Sequence, residues 1–147
     1  MAWSFHPVLH AAHLIEELVR RELGSLGLQP RQARIIFAIG QFEPLSQAAL
    51  AKAFDVSRAS MTVMIERLVR DELVERYVAI NQKRPLVRLS EAGAALLPSI
   101  EAAWTRVDVA LSERLGSELQ HFLGVTALQA RDALGGRAPH DILGRGK

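Results

Sequence analysis

A chain of 147 residues, 49% hydrophobic and without cysteine, is long enough to bury a core, and it excludes disulfides, thiolate metal sites and thiol-based redox sensing. Its 18 lysines and arginines against 16 acidic residues leave a net charge of +2, so any attraction to nucleic acid has to be local. No stretch approaches the apolar length of a membrane span, and the start MAWSFHPVLH has neither the basic n-region nor the small-residue cleavage site of a signal peptide, which predicts a cytoplasmic protein with no membrane partner.

Val8, Ala12, Ile15 and Val19 recur at helical spacing beside Leu14, Leu18 and Leu23, and Pro7 suits a first turn, so a helix with a broad apolar face runs from about Pro7 to Leu23. Gly24 and Gly27 end it. Pro30 opens a second helix with Ala33, Ile36, Phe37 and Gly40 inward, and Pro44 stops that one. Ser46 is an N-cap for a short alanine-rich helix, Asp55-Val56 makes a turn, and Ser57 caps a further helix whose stripe is Met61, Ile65 and Leu68.

Val74 to Ile80 and Leu86 to Leu89 are rich in aliphatic and β-branched residues and flank a polar turn with Asn81 and Pro85, which predicts a two-stranded hairpin. Ser90 caps a long helix reaching about Leu115, with Pro98 inside where it should kink or interrupt the ladder. Ser117 with Gln120 resembles a capping box for a last helix to about Leu134. The remaining GGRAPHDILGRGK is glycine-rich and basic, and is expected to be mobile.

A short helix, a tight turn, a second capped helix and a hairpin make a winged helix-turn-helix, in which the second helix enters the major groove. The fold class is therefore mainly α with a small β-hairpin wing. A generic helical pair inside a core is the plainer alternative. On the capped helix the hydroxyls of Ser57, Ser60 and Thr62 suit phosphates or base edges, Arg58 suits a phosphate or guanine, and Val63 offers only an apolar contact such as a thymine methyl. Arg67 extends the polar surface. Lys83, Arg84 and Arg88 give the hairpin its positive charge, with Lys83 and Arg84 at the tip where a minor groove or its phosphates would pass.

The segment LSQAALAKAFDVSRASMTVMIERLVRDELVERYVAINQKRPLVRLSEAG, Leu45 to Gly93, resembles the DNA-binding core of the MarR family of bacterial transcriptional regulators. DVSRAS opens the reading helix, IERLVRDELVER runs into the first wing strand, and VRLSEAG closes the wing and starts the long helix. The resemblance implies a homodimer formed by N- and C-terminal helices, two winged domains on a pseudo-palindromic operator, and repression relieved by a small aromatic or anionic ligand. The implied organisation is a dimerisation helix over 1–29, the winged domain over 30–90, dimerisation helices over 91–134 and a basic tail over 135–147. Independently, the apolar first helix and Leu119, Phe122 and Leu123 of the last one lack cover in a monomer this small.

Three positions depart from the family pattern. Asn81, Gln82 and Lys83 stand where an Asp and two Arg are usual, which removes a bracing carboxylate and predicts a mobile wing; Glu72 stands where Gly is favoured; Val63 stands where a basic residue is common. The resemblance also implies a ligand pocket near His13, Phe37 and Trp104, for which core packing of Phe37 and Trp104 is the plainer reading.

His6, His10 and His13 share a helical face and suggest a metal-sensing alternative, against the plainer reading of a partly exposed helix end; no metal or other cofactor is expected. There is no nucleophile elbow, phosphate-cradling glycine loop or paired-acid constellation, so catalysis is not expected. A further alternative is a dimeric protein-interaction scaffold that has lost operator reading.

Overall fold

The structure is a computed structural model and describes residues 3–144. In chain order its elements are α1 (Phe5–Leu23), a 3-10 turn (Gly24–Leu26), α2 (Pro30–Phe42), β1 (Leu45–Ser46), α3 (Gln47–Ala53), α4 (Arg58–Arg70), β2 (Val74–Tyr77), β3 (Leu86–Leu89), α5 (Glu91–Leu115), α6 (Ser117–Ala133) and α7 (Pro139–Leu143). The sheet is antiparallel in the order β1-β3-β2. The two-residue strand β1 has no counterpart among the expected elements, because two residues carry no period.

The core joins Leu23 of α1, Ile35, Ile36 and Ile39 of α2, Leu50 of α3, Met61, Ile65 and Leu68 of α4, Val74 and Val87 of the sheet, and Ile100 of α5. Helix α2 packs on α1, α5 and β3, so it buries more than one stripe. That is why Ile35 and Ile39 are fully buried alongside the expected Ala33 and Ile36, whereas Phe37 and Gly40 are only half-buried.

Serine caps set the frame of the winged unit. The Oγ of Ser46 accepts from Ala49 N at 3.1 Å, that of Ser57 from Ser60 N at 3.1 Å, and that of Ser90 from Gly93 N at 3.0 Å. Each satisfies a helix N–H that has no partner inside its own helix. Ser90 also donates to the Glu72 carbonyl at 2.6 Å, which fastens the start of α5 to the end of α4. A side chain at Gly93 would overlap the carbonyl oxygen of Leu73, so only glycine lets α5 begin there.

Helix α4 ends in a Schellman turn: Leu73 N donates to Leu68 O at 2.9 Å and Glu72 N to Val69 O at 3.0 Å, with Glu72 at φ 60°. Glu72 thus accepts the left-handed backbone that glycine would hold without strain.

Four expectations need correction. The first wing strand ends at Tyr77 rather than Ile80: its partner runs only to Leu86, and Pro85 has no N–H to extend the ladder. Helix α5 continues through Pro98, so of a kink or an interruption there the second does not occur. Ser117 does not cap α6; Gly116 does, at φ 80°, and the Gln120 side chain donates to the Asp108 carbonyl at 3.1 Å.

The fourth concerns the tail, which is helical over Pro139–Leu143. A second Schellman turn, Gly136 N to Arg131 O at 2.9 Å and Gly135 N to Asp132 O at 3.1 Å, reverses the chain, with Gly135 at φ 82°. It returns to pack α7 on α3 and α2, burying Ala138 and Leu143. Residues 145–147 of the expected tail lie outside the described residues.

Helix α6 buries none of its residues, and leaves Leu119, Phe122, Leu123, Val125 and Leu128 exposed; on α1, Phe5, Val8, Leu9 and Leu14 are exposed too. Between these helices and α5 lies a concave apolar surface lined by Leu14, Leu18, Leu111, Leu115 and Leu123. Among the described residues no helix is long and apolar enough to cross a membrane.

Candidate nucleic-acid interface

Helix α4 is held to the core by Met61, Ile65 and Leu68, which leaves Ser57, Arg58, Ser60, Val63 and Arg67 exposed and Thr62 half-buried. At its N-terminal end the Ser57 hydroxyl donates to Ser60 Oγ at 3.0 Å while it caps the helix. The Ser60 hydroxyl hydrogen therefore remains available to an external acceptor, beside Arg58 and the positive end of the helix dipole. Val63 is 50% exposed on the same helix, a solvent-facing apolar group with no core role. Arg67 lies in the last turn, roughly 13 Å along the axis from Arg58, where its charge complements the negative end of the dipole.

Thr62 is already engaged. Its Oγ1 donates to Arg58 O at 2.9 Å and accepts from Gln47 Nε2 at 3.3 Å. The other end of that carboxamide, Gln47 Oε1, accepts from Arg76 Nε at 2.9 Å. Gln47 therefore ties the start of α3, the reading helix and the first wing strand into one polar unit. Neither Gln47 nor Arg76 stands out in the sequence. The position of Gln47 directly after the Ser46 cap is the available signal, since it projects from the first turn of α3.

The wing cations divide into two kinds. Lys83 and Arg84 are exposed in the loop, and among the described residues neither has an acidic partner within salt-bridge distance. Arg88 instead pairs with Glu75, its cross-strand partner, at 3.1 Å, and its guanidinium lies 4.7 Å from the centroid of the Tyr77 ring. Glu75 supplies a brace at the base of the wing, where the sequence lacks the acidic residue at Asn81. Glu43 adds a second: its carboxylate accepts from Leu89 N at 2.9 Å.

A separate cavity of about 370 Å³ lies between α2, α5 and α7, walled by Arg34, Phe37, Phe54, Trp104, Pro139 and His140. Phe37 and Trp104 meet edge-on at 5.0 Å, and the Arg34 guanidinium lies 5.4 Å from the centroid of Phe54. Desolvation, then the neighbouring charge of Arg31, lowers the Arg34 pKa from its ordinary value, with Glu16 opposing; arginine nonetheless stays charged at neutral pH. His13 is exposed on α1 and does not line this cavity. His6 and His10 are exposed as well, and among the described residues no group of three or more His, Asp or Glu side chains is placed to hold a metal ion.

Residues 26–85, spanning α2 to the wing, match the MarR family model. Over that segment the chain is similar to the MarR family. The HTH-type transcriptional regulator PchR of Bacillus subtilis (strain 168) is 22% identical over 103 residues; that match covers 69% of this chain and 61% of PchR, under two thirds of its length. The fold is shared with solved structures, among them two complexes. The Staphylococcus aureus MepR–DNA complex superposes with a TM-score of 0.77 at 16% identity, covering 90% of this chain and 99% of the other. A Mycobacterium tuberculosis MarR family protein in complex with salicylic acid gives 0.69 at 23% identity, covering 88% and 97%. The matched segment holds α2, the helix-turn-helix α3–α4, β2 and the wing loop, and ends before β3; α1, α5, α6 and α7 stand outside it.

Proposed function

We propose that this protein is a MarR-family, sequence-specific, double-stranded-DNA-binding transcriptional regulator that acts in the cytoplasm as a homodimer on a pseudo-palindromic operator. The observation that carries this reading is the polar unit built by Gln47, which links the exposed start of the reading helix to a wing whose Lys83 and Arg84 project into solvent. Ser57, Arg58, Ser60 and Val63 face the major groove in this reading, and the wing cations meet phosphates or the adjacent minor groove. The sign of regulation is repression, relieved when a small aromatic or anionic ligand occupies the cavity at Phe37, Trp104 and Arg34. Charge and aromatic edges there suit a planar anion, and the cavity's size falls within the roughly 300–1,000 Å³ usual for such sites. The salicylic acid complex of the mycobacterial relative is consistent with that class.

The test is fluorescence anisotropy against duplexes selected by the full-length protein from a random pool, at matched salt. Arg58→Ala should weaken the selected duplex by about 1–3 kcal/mol and relax its sequence preference, while Arg84→Ala should weaken all duplexes alike and flatten the salt slope by about one. A protein that selects no sequence above random duplex is not a specific regulator, and the scaffold alternative then stands.

A further inference from the structure

The wing carries an apolar residue that folding does not explain. Gln82 N donates to Ala79 O at 3.0 Å, closing a turn whose two corner residues are Ile80 and Asn81. Ile80 is fully exposed there, and Val78 before it is 64% exposed. A β-branched residue gains nothing from a solvent-facing turn corner, where Pro, Asp, Ser or Gly are the residues with a conformational reason to be. The neighbours of Ile80 are Asn81 and Gln82, followed by the exposed Lys83 and Arg84. The protruding tip is therefore an isoleucine beside two carboxamides and two cations.

We propose that Ile80 is a minor-groove wedge, pressed into a base-pair step by the wing when the protein sits on its operator. The inference rests on the DNA-binding reading above and adds the residue and the mode of contact. Its neighbours complete the contact, since Lys83 and Arg84 attract the phosphates on either side of the groove, and the carboxamides of Asn81 and Gln82 meet the degenerate acceptors of A·T pairs on its floor. Inserting an aliphatic side chain partly unstacks one step, and pyrimidine–purine steps such as TA and CA/TG open most readily. Ile80 thereby confers sequence preference at a position where no hydrogen bond is made to a base. The charge around the tip favours duplex DNA over an apolar protein partner for this residue.

The test uses the full-length protein and a duplex it selects from a random pool, with 2-aminopurine placed at successive steps beneath the wing. Wild type should raise 2-aminopurine fluorescence at one step only, and Ile80→Ala should abolish that rise. Ile80→Ala should also lose about tenfold or more in affinity, as expected for the lost burial of an isoleucine side chain, with no change in salt slope or thermal midpoint. Lys83→Ala should do the reverse, lowering the salt slope by about one while keeping the fluorescence rise.

Unchanged affinity and fluorescence in Ile80→Ala on a duplex that wild type still selects would overturn the wedge and leave the regulator reading intact. A shift in oligomeric state on Ile80→Ala, without an effect on DNA, would assign the residue to a protein contact and overturn it equally. Failure of wild type to select any duplex removes the regulator reading, and the wedge with it.

Discussion

At the scale of single residues, the winged unit is decided by groups that each make two contacts. Ser90 caps α5 and fastens Glu72; Gln47 spans three elements; Arg88 neutralises Glu75 and covers Tyr77. The serine caps are legible in the sequence because a cap is a local pattern, a hydroxyl three residues ahead of the N–H it receives. The Glu75–Arg88 pair is not, since it depends on strand register, which the loop length alone does not determine. Its consequence is measurable: Arg88→Ala should change the salt slope of DNA binding less than Arg84→Ala does, because its charge is already countered, and should lower stability by no more than about 1 kcal/mol, as for an exposed ion pair. A second residue-level outcome concerns Glu72. Its φ of 60° is a strained choice at an exposed helix end, so Glu72→Gly should raise stability by about 0.5–1 kcal/mol in denaturant unfolding, after allowing for the greater freedom of glycine in the unfolded chain. A lower midpoint for Glu72→Gly would show that the left-handed turn carries no strain.

Elements are legible in proportion to their length and period. The stripe Met61, Ile65 and Leu68 of α4 is visible as spacing and is buried as spacing implies. Strand β1 has two residues and α7 has five, too few to establish either period. For α7 the glycine-rich composition suggests a mobile tail, while the useful signals are Pro139 at a first turn and Asp141 reaching back to Ala138 N at 3.2 Å. What makes so short a helix hold is its anchor: Leu143 is buried, and Ile142 and Leu143 line a recess with Phe42, Leu45, Ala49 and Leu86. Leu86 lies on the wall of the same recess, and it and Val87, successive residues on opposite faces of β3, are both buried. Leu143→Ala should therefore release α7 locally while the core remains folded. Native-state hydrogen exchange should show the amides of 139–144 losing about tenfold or more in protection, with those of α4 unchanged. Equal loss in α4 would mean that α7 is part of one cooperative unit with the winged domain.

At the scale of the whole molecule, the distribution of apolar surface separates the folded unit from what it lacks. The winged unit completes its core, with helix caps, buried contributions from Leu23 of α1 and Ile100 of α5 and, among the described residues, no buried side-chain polar atom without a partner. Helices α1 and α6 do not: Leu119, Phe122, Leu123, Val125 and Leu128 lie on a helix with no buried residue, next to an apolar recess formed with α1 and α5. In the proposed regulator of a two-fold operator, an exposed set of that size is best covered by the same surface of a second copy, since symmetry then pairs each helix with a helix that has the same need. Fully burying a side chain of this kind contributes about 1.5–3 kcal/mol, so a single charge in the middle of the set should shift a dimer equilibrium by orders of magnitude. Phe122→Glu should move the protein to monomer in sedimentation at micromolar concentration and make its thermal midpoint independent of concentration, whereas wild type should melt higher as concentration rises. DNA affinity should then fall steeply, because a monomer engages one half-site and loses the effective concentration that tethers the second winged domain. A Phe122→Glu protein that sediments as wild type does would place the subunit contact elsewhere, and the exposed face of α6 would need a different partner.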